Sequence, residues 1–123
     1  MRPARDTADI DDPGTENSSV GAGGEFCLCA VIRWELLFSA RSSADCAALE
    51  QDLEHFRELR MDAETIATAG GAQRELARAG KHRVPIGDLL IAACAQQHAA
   101  DVVHVDRHFG MLSSVLHFNA IRL

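Results

Sequence analysis

The chain has 123 residues, 47% of them apolar, and a formal net charge of −6. This length suits one small domain with a single core, and the acidic balance excludes a global basic field that would attract nucleic acid or an anionic membrane. No run reaches the roughly 18 apolar residues of a membrane span, and no signal-peptide pattern opens the sequence, so we expect a cytoplasmic protein.

The N-terminal segment differs from the rest of the chain in composition. Residues 1–24 are rich in Gly, Pro, Ser, Thr and Asp and show almost no apolar periodicity. Such a composition cannot bury enough surface to offset the entropy of the chain. We therefore predict a disordered or atypical segment over residues 1–24 and a folded domain over residues 25–123.

Strands and helices are predicted to alternate from Phe26 onward. In chain order, the pattern predicts a buried strand at 26–32, a helix at 33–42, a second helix capped by Ser43, a short strand at 58–61, and a long helix capped by Asp62 and ended by Gly80.

The second half of the chain continues the alternation. After a loop come a helix at 87–99, a strand at 101–105, a short helix near 107–116 and a closing strand near 119–123. The strands are continuous apolar runs, which is typical of a parallel sheet covered by helices on both faces. The predicted fold class is α/β.

The four cysteines predict no metal centre. Cys27, Cys29, Cys46 and Cys94 include no C-x-x-C pair and no other ligand spacing typical of structural zinc. We expect reduced, buried thiols.

Three acids occupy related positions in the predicted fold. Glu35 follows the first predicted strand in the first turn of the next helix, Asp106 directly follows the strand at 101–105, and Asp88 lies in the first turn of its helix. Parallel sheets bind ligands beyond the carboxyl ends of their strands. Each acid alone is explained as well by helix-dipole stabilisation, solvation or capping, but their joint placement indicates a site.

The surroundings of Asp88 and the chemistry of carboxylates favour a metal site. On its helix, Asp88 shares a face with Ile91, Ala92 and Ala95, whose small or apolar side chains leave room beside the carboxylate. Clustered carboxylates repel one another without a cation, and Mg²⁺ and Mn²⁺ prefer oxygen ligands. Such a site can assist phosphodiester hydrolysis.

Three stretches around these acids resemble the PIN-domain family, and within it the VapC-type toxin ribonucleases of bacterial toxin–antitoxin pairs. They are "CAVIRWELLFSARS" with Glu35, "GKHRVPIGDLLIAACAQQH" with Asp88 and "VVHVDRHF" with Asp106. The resemblance runs from about residue 22 to the C-terminus. It implies a three-layer fold in which helices flank a parallel sheet.

The resemblance also implies an activity and its partners. We expect a metal-dependent endoribonuclease that binds Mg²⁺ or Mn²⁺ through an acidic quartet, of which Glu35, Asp88 and Asp106 occupy three positions. An RNA substrate, an inhibiting antitoxin and a homodimer are the expected partners, with no membrane. Basic residues near the same edge are candidates for contact with RNA phosphate; they are Arg41, Lys81, His82, Arg83 and Arg107.

The sequence departs from the family pattern in two places. The family opens with a central apolar strand that ends in Asp-Thr-Ser and supplies the first acid, whereas this chain offers only Asp6-Thr7-Ala8 without an apolar run before it. We therefore predict that the first central strand is missing. His108 stands where many relatives carry another Asp, and we interpret it as a turn histidine.

Two other interpretations of the sequence stay open. The chain can be a catalytically defective PIN remnant that only binds an antitoxin or an intact partner subunit. It can also be a generic small α/β domain in which the three acids are incidental.

Overall fold

The structure is a computed structural model that describes residues 18–19, 26–104 and 108–122. Asp6, Asp106 and Arg107 lie outside the described residues, as does most of the predicted N-terminal segment. The boundary at residues 24 and 25 therefore stays a prediction.

Strands and helices alternate from Cys27 onward, as the sequence predicts. In chain order the elements are β1 (Ser18–Ser19), β2 (Cys27–Cys29), α1 (Ala30–Phe38), α2 (Ser43–Leu53), β3 (Arg57–Leu59), α3 (Ala63–Arg78), α4 (Ile86–Gln97), β4 (Val102–His104), α5 (His108–Leu112) and β5 (Ala120–Arg122).

Two parallel strand pairs confirm the α/β class. β2 pairs with β3, and β4 pairs with β5. β1 runs antiparallel to β4, with Ser18 opposite Val103, and it also lies against β2. β1, β4 and β5 form a three-stranded sheet with β1 at its edge, and β2 and β3 form a separate two-stranded sheet. The loss of the first central strand stays a prediction, because most residues before Phe26 lie outside the described residues.

The boundary between the first buried strand and the first helix differs from the prediction. The strand predicted at 26–32 ends at Cys29, and α1 begins at Ala30. A short apolar run fits a buried strand and a buried helical turn equally well, so periodicity could not separate them. As a consequence Glu35 lies in the second turn of α1, not in the first.

The caps of α2 and α3 follow from short polar side chains. Ser42, not the predicted Ser43, is the N-cap of α2, and its hydroxyl accepts a hydrogen bond from the Asp45 backbone N–H at 3.0 Å. Asp62 is the N-cap of α3, as predicted, and forms a reciprocal capping box with Thr65. Gly80 follows the end of α3 at a φ of 71°, the left-handed conformation that glycine adopts at low cost.

The core is built around α4. Residues 91–95 of this helix are fully buried, and α4 packs against α1, α3 and α5. All four cysteines are free thiols, of which only Cys46 is partly exposed. A hydrogen bond joins the thiols of Cys29 and Cys94, which raises the pKa of Cys94 and lowers that of Cys29. No helix in the described ranges is long and apolar enough to cross a membrane.

Asp62 also ties α3 to α4. The Gln97 side-chain amide donates to Asp62 Oδ1 at 2.9 Å, and Arg60 Nε lies 3.0 Å from Oδ2. These two contacts lower the pKa of Asp62 from 3.8 to about 2. The carboxylate is thus held charged, and its interactions favour the folded state at every pH above its usual pKa.

We expect Asp62→Ala to lower the melting temperature by a few degrees at pH 7, because the cap and both side-chain contacts are lost. The difference in melting temperature between the variant and the unsubstituted chain should reach its full size above pH 3.8. It should shrink as the pH falls toward 2, because Asp62 of the unsubstituted chain is then protonated and no longer stabilises the fold. Thermal unfolding followed by circular dichroism at several pH values between 2 and 7 measures this difference. Glu50→Gln, an exposed substitution on α2, is the control, and an equal loss in both variants would contradict the assignment.

Candidate active site

Asp88 is a buried carboxylate at the start of α4. It is the third residue of that helix, follows the N-cap Pro85 and is only 6% exposed. The predicted face is confirmed, since Ile91, Ala92 and Ala95 are fully buried. An acid that served only the helix dipole would be stabilised equally well while solvated, so the burial of Asp88 points to a further role.

Glu35 reaches Asp88 because α1 passes close to the first turn of α4. A Cβ atom placed on Gly87 would lie 2.8 Å from Glu35 Oε2 and 3.4 Å from Val31 Cγ1. Glycine therefore leaves the space that the Glu35 carboxylate occupies. On the side of α1 away from Glu35, Arg33 forms an ion pair with Glu58 of β3, which helps to orient the helix.

The charge of Asp88 acts on the Glu35 carboxyl group. The pKa of Glu35 is raised, first by partial burial and then by the negative charge of Asp88. Two carboxylates that repel each other in this way favour either a shared proton or a bound cation. The structure thus brings together two of the three acids that the sequence selected.

His108 is a third group at this position, where the sequence predicted only a turn histidine. It begins α5, and its Nδ1 lies 3.3 Å from Asp88 Oδ2, within ion-pair distance when the ring is protonated. The signal available in the sequence was its place just after the strand at 101–105, where the family resemblance puts an acid. A histidine there adds a nitrogen donor or acceptor beside Asp88 instead of another negative charge.

The donor set fits part of a site for a hard cation. The described ranges 18–19, 26–104 and 108–122 contain no group of three or more His, Cys, Asp or Glu side chains arranged to hold a metal ion, and Asp106 lies outside them. However, Mg²⁺ is usually held by one or two carboxylates together with water and substrate phosphate. Glu35 and Asp88 meet that requirement, because the lack of a side chain at Gly87 lets the Glu35 carboxylate approach the first turn of α4.

The predicted RNA-contacting basic residues that the structure describes are all exposed. Lys81, His82 and Arg83 are exposed in the segment that leads into α4 and Asp88. Arg41 is exposed between α1 and α2, where its backbone N–H donates to Asp45.

Sequence relatives decide the family. A model of the PIN domain matches residues 11–113. The chain belongs to the PIN-domain family. It is 37% identical over 91 residues to ribonuclease VapC18 of Mycobacterium tuberculosis. The aligned region covers 72% of this chain and 66% of VapC18. It is also 33% identical to ribonuclease VapC17 of the same species. That aligned region covers 74% of this chain and 70% of VapC17. The PIN domain described here is therefore of the VapC type and spans about two thirds of the length of these relatives.

Solved structures agree with the fold. A member of the VapBC family of toxin–antitoxin systems, VapBC-5 from Mycobacterium tuberculosis, superposes with a TM-score of 0.66 at 26% identity and covers 79% of this chain and 81% of its own. A DNA-bound VapBC from Salmonella typhimurium superposes with a TM-score of 0.64 at 23% identity. The superposition covers 78% of this chain and 74% of the Salmonella chain. The second likeness concerns the fold alone. Together they confirm the predicted PIN architecture of parallel strands flanked by helices.

Gly87→Ala is expected to separate stability from site integrity. The added methyl group would displace the Glu35 carboxylate, whose flexible end can move away, while alanine favours the helix over glycine by about 0.5–1 kcal/mol. We expect an unchanged or higher melting temperature together with weaker Mn²⁺ binding, measured by isothermal titration calorimetry. Gly70→Ala in α3, which meets only the flexible end of Arg74 at 3.9 Å, is the control. Unaltered Mn²⁺ affinity in Gly87→Ala would show that Glu35 is not a ligand.

Proposed function

We propose that this VapC-type PIN protein is a metal-dependent endoribonuclease and the toxin of a toxin–antitoxin pair. The observation that carries the proposal is the approach of Glu35 to the buried Asp88 across Gly87. The relationship to VapC ribonucleases supports the reaction type.

In this proposal Glu35, Asp88 and Asp106 hold Mg²⁺ or Mn²⁺. The bound metal supplies Lewis acidity and lowers the pKa of a bound water, which is the chemistry that phosphodiester hydrolysis requires. Asp88 acts as the fixed ligand because burial in α4 restricts its rotamers. Glu35 acts as the adjustable one, since it lies on the exposed side of α1.

His108 has a positioning role in this proposal. Its Nδ1 faces Asp88 Oδ2 at 3.3 Å and can orient that carboxylate, in the way that second groups commonly orient metal ligands. Lys81 and Arg83, exposed in the segment before α4, are proposed to contact RNA phosphates. Because the net charge is −6, RNA binding should depend on these local groups and on the cation.

The partners are proposed from the relatives. VapBC-5 is described as a member of a toxin–antitoxin family, and we propose that this chain likewise binds an antitoxin protein that inhibits it. Assembly as a homodimer and a cytoplasmic location stay predictions.

The alternative function is a binding-only PIN remnant. One observation favours it: β1, the described strand nearest the N-terminus, consists of Ser18 and Ser19 and contributes no carboxylate, whereas the family pattern expects the first acid on its N-terminal strand. A chain without the full acidic set would still present the PIN surface to an antitoxin or to an intact subunit. Activity measurements separate the two functions.

Asp88→Asn is expected to abolish Mg²⁺-dependent cleavage of a structured RNA while leaving the fold intact. The amide keeps the shape of the side chain but removes the charge that holds the cation. Glu64→Gln is the matched control, because Glu64 also lies in the first turn of a helix, α3. Cleavage is followed on gels with Mg²⁺, with Mn²⁺ and with EDTA, and folding by circular dichroism.

Each result of this experiment is informative. Cleavage by the unsubstituted chain that EDTA and Asp88→Asn both remove, and that Glu64→Gln keeps, supports the ribonuclease. Cleavage that survives in Asp88→Asn contradicts the site. No cleavage by the folded, unsubstituted chain contradicts the enzyme and favours the remnant, whose antitoxin binding would then be measured directly.

A further inference from the structure

Three large apolar side chains lie exposed on the two helices that carry the acid pair. Trp34 is 63% exposed and Phe38 is 91% exposed, both on α1, and Ile86, the first residue of α4, is 60% exposed. We call these three residues the apolar rim. Their exposure removes them from the core. Clustered apolar exposure of this kind marks a binding surface more often than a scattered single residue does.

Trp34 and Phe38 lie on the same side of α1 as Glu35. At about 100° per residue, Val31, Trp34, Glu35 and Phe38 fall within an arc of about 100° on α1. Val31 and Glu35 are the two side chains of that arc that meet Gly87. Ile86 directly precedes Gly87. Trp34 is therefore placed to contact a molecule that binds at the Glu35 carboxylate.

We propose that Trp34 stacks against an RNA base next to the phosphate that the acid pair positions, with Phe38 and Ile86 extending the same apolar contact. This inference rests on the proposed ribonuclease function, because it takes single-stranded RNA as the molecule over the carboxylates. Trp34 is thus assigned as a substrate-binding residue, and the preferred substrate region is unpaired RNA, whose bases are free to stack.

The chemistry of this surface favours contact with an RNA base over contact with the RNA backbone. Glu35 and Asp88 repel phosphate except where a cation intervenes, so further affinity on this face must come from uncharged parts of the nucleotide. Unpaired RNA bases are recognised mainly by stacking on aromatic side chains, a contact that every base can make. The aromatic ring of Trp34 beside the acid pair provides that contact.

Trp34 is also its own probe, because it is the single tryptophan of the chain. The experiment uses the full chain carrying Asp88→Asn, so that RNA is bound without being cleaved. Titration with an unpaired eight-nucleotide RNA should quench the tryptophan fluorescence. An abasic oligonucleotide of the same length and charge should bind with little quenching.

Affinity is measured separately by the fluorescence anisotropy of a labelled RNA. In the same background, Trp34→Leu should weaken binding of the unpaired RNA roughly 5- to 150-fold, the range expected for one lost stacking contact. Trp34→Phe should recover part of the loss because it keeps an aromatic face. Ile66→Ala, at an exposed apolar residue of α3, should leave the affinity unchanged.

Three results would overturn the proposal. The first is equal quenching by the abasic oligonucleotide, and the second is unchanged RNA affinity in Trp34→Leu. The third is a Trp34→Leu variant that loses only the binding of an antitoxin, because that result would assign the apolar rim to a protein partner. Quenching and base-dependent binding without cleavage by the unsubstituted chain would support stacking and contradict only the ribonuclease activity. The two proposals can therefore fail separately.

Discussion

The close approach of α1 to the first turn of α4 is the constraint on which the candidate site depends. Gly87 makes it possible, because any Cβ atom there would meet the Glu35 carboxylate at 2.8 Å. The approach brings one flexible, largely exposed acid to one buried, fixed acid. Partial burial raises the pKa of Glu35, and the negative charge of Asp88 raises it further. Both effects favour the neutral carboxyl group, and a bound cation would offset them.

The rigid side of this arrangement comes from α4. Five consecutive residues of the helix are fully buried, and the helix packs against three others. The contacts from Gln97 to Asp62 and from the Cys94 thiol to Cys29 attach α4 to the start of α3 and to the end of β2. Because β2 leads directly into α1, the same framework that holds Asp88 also sets the start of the helix that carries Glu35. Site geometry and core packing are therefore coupled in this domain.

The first strand is where this chain differs from its family pattern. Ser18 and Ser19 lie between the two parallel strand pairs and run antiparallel to β4. They satisfy part of the hydrogen-bonding edge of β4 but bring no acid to the site. His108 adds a nitrogen beside Asp88. Within the part of the chain that the structure describes, the site thus contains two carboxylates and one imidazole.

The sequence by itself determined the kinds and order of the elements, the Asp62 cap, the end of α3 at Gly80 and the selection of Glu35 and Asp88, because these depend on local periodicity, capping chemistry and glycine conformation. Only the tertiary structure decided that α1 begins at Ala30, since a buried apolar run suits a strand and a helix alike. It alone showed that His108 faces Asp88, that β1 pairs antiparallel with β4, and that Trp34, next to Glu35 on α1, is exposed. These features depend on contacts between residues far apart in the chain, and single-sequence periodicity contains no information about such distances.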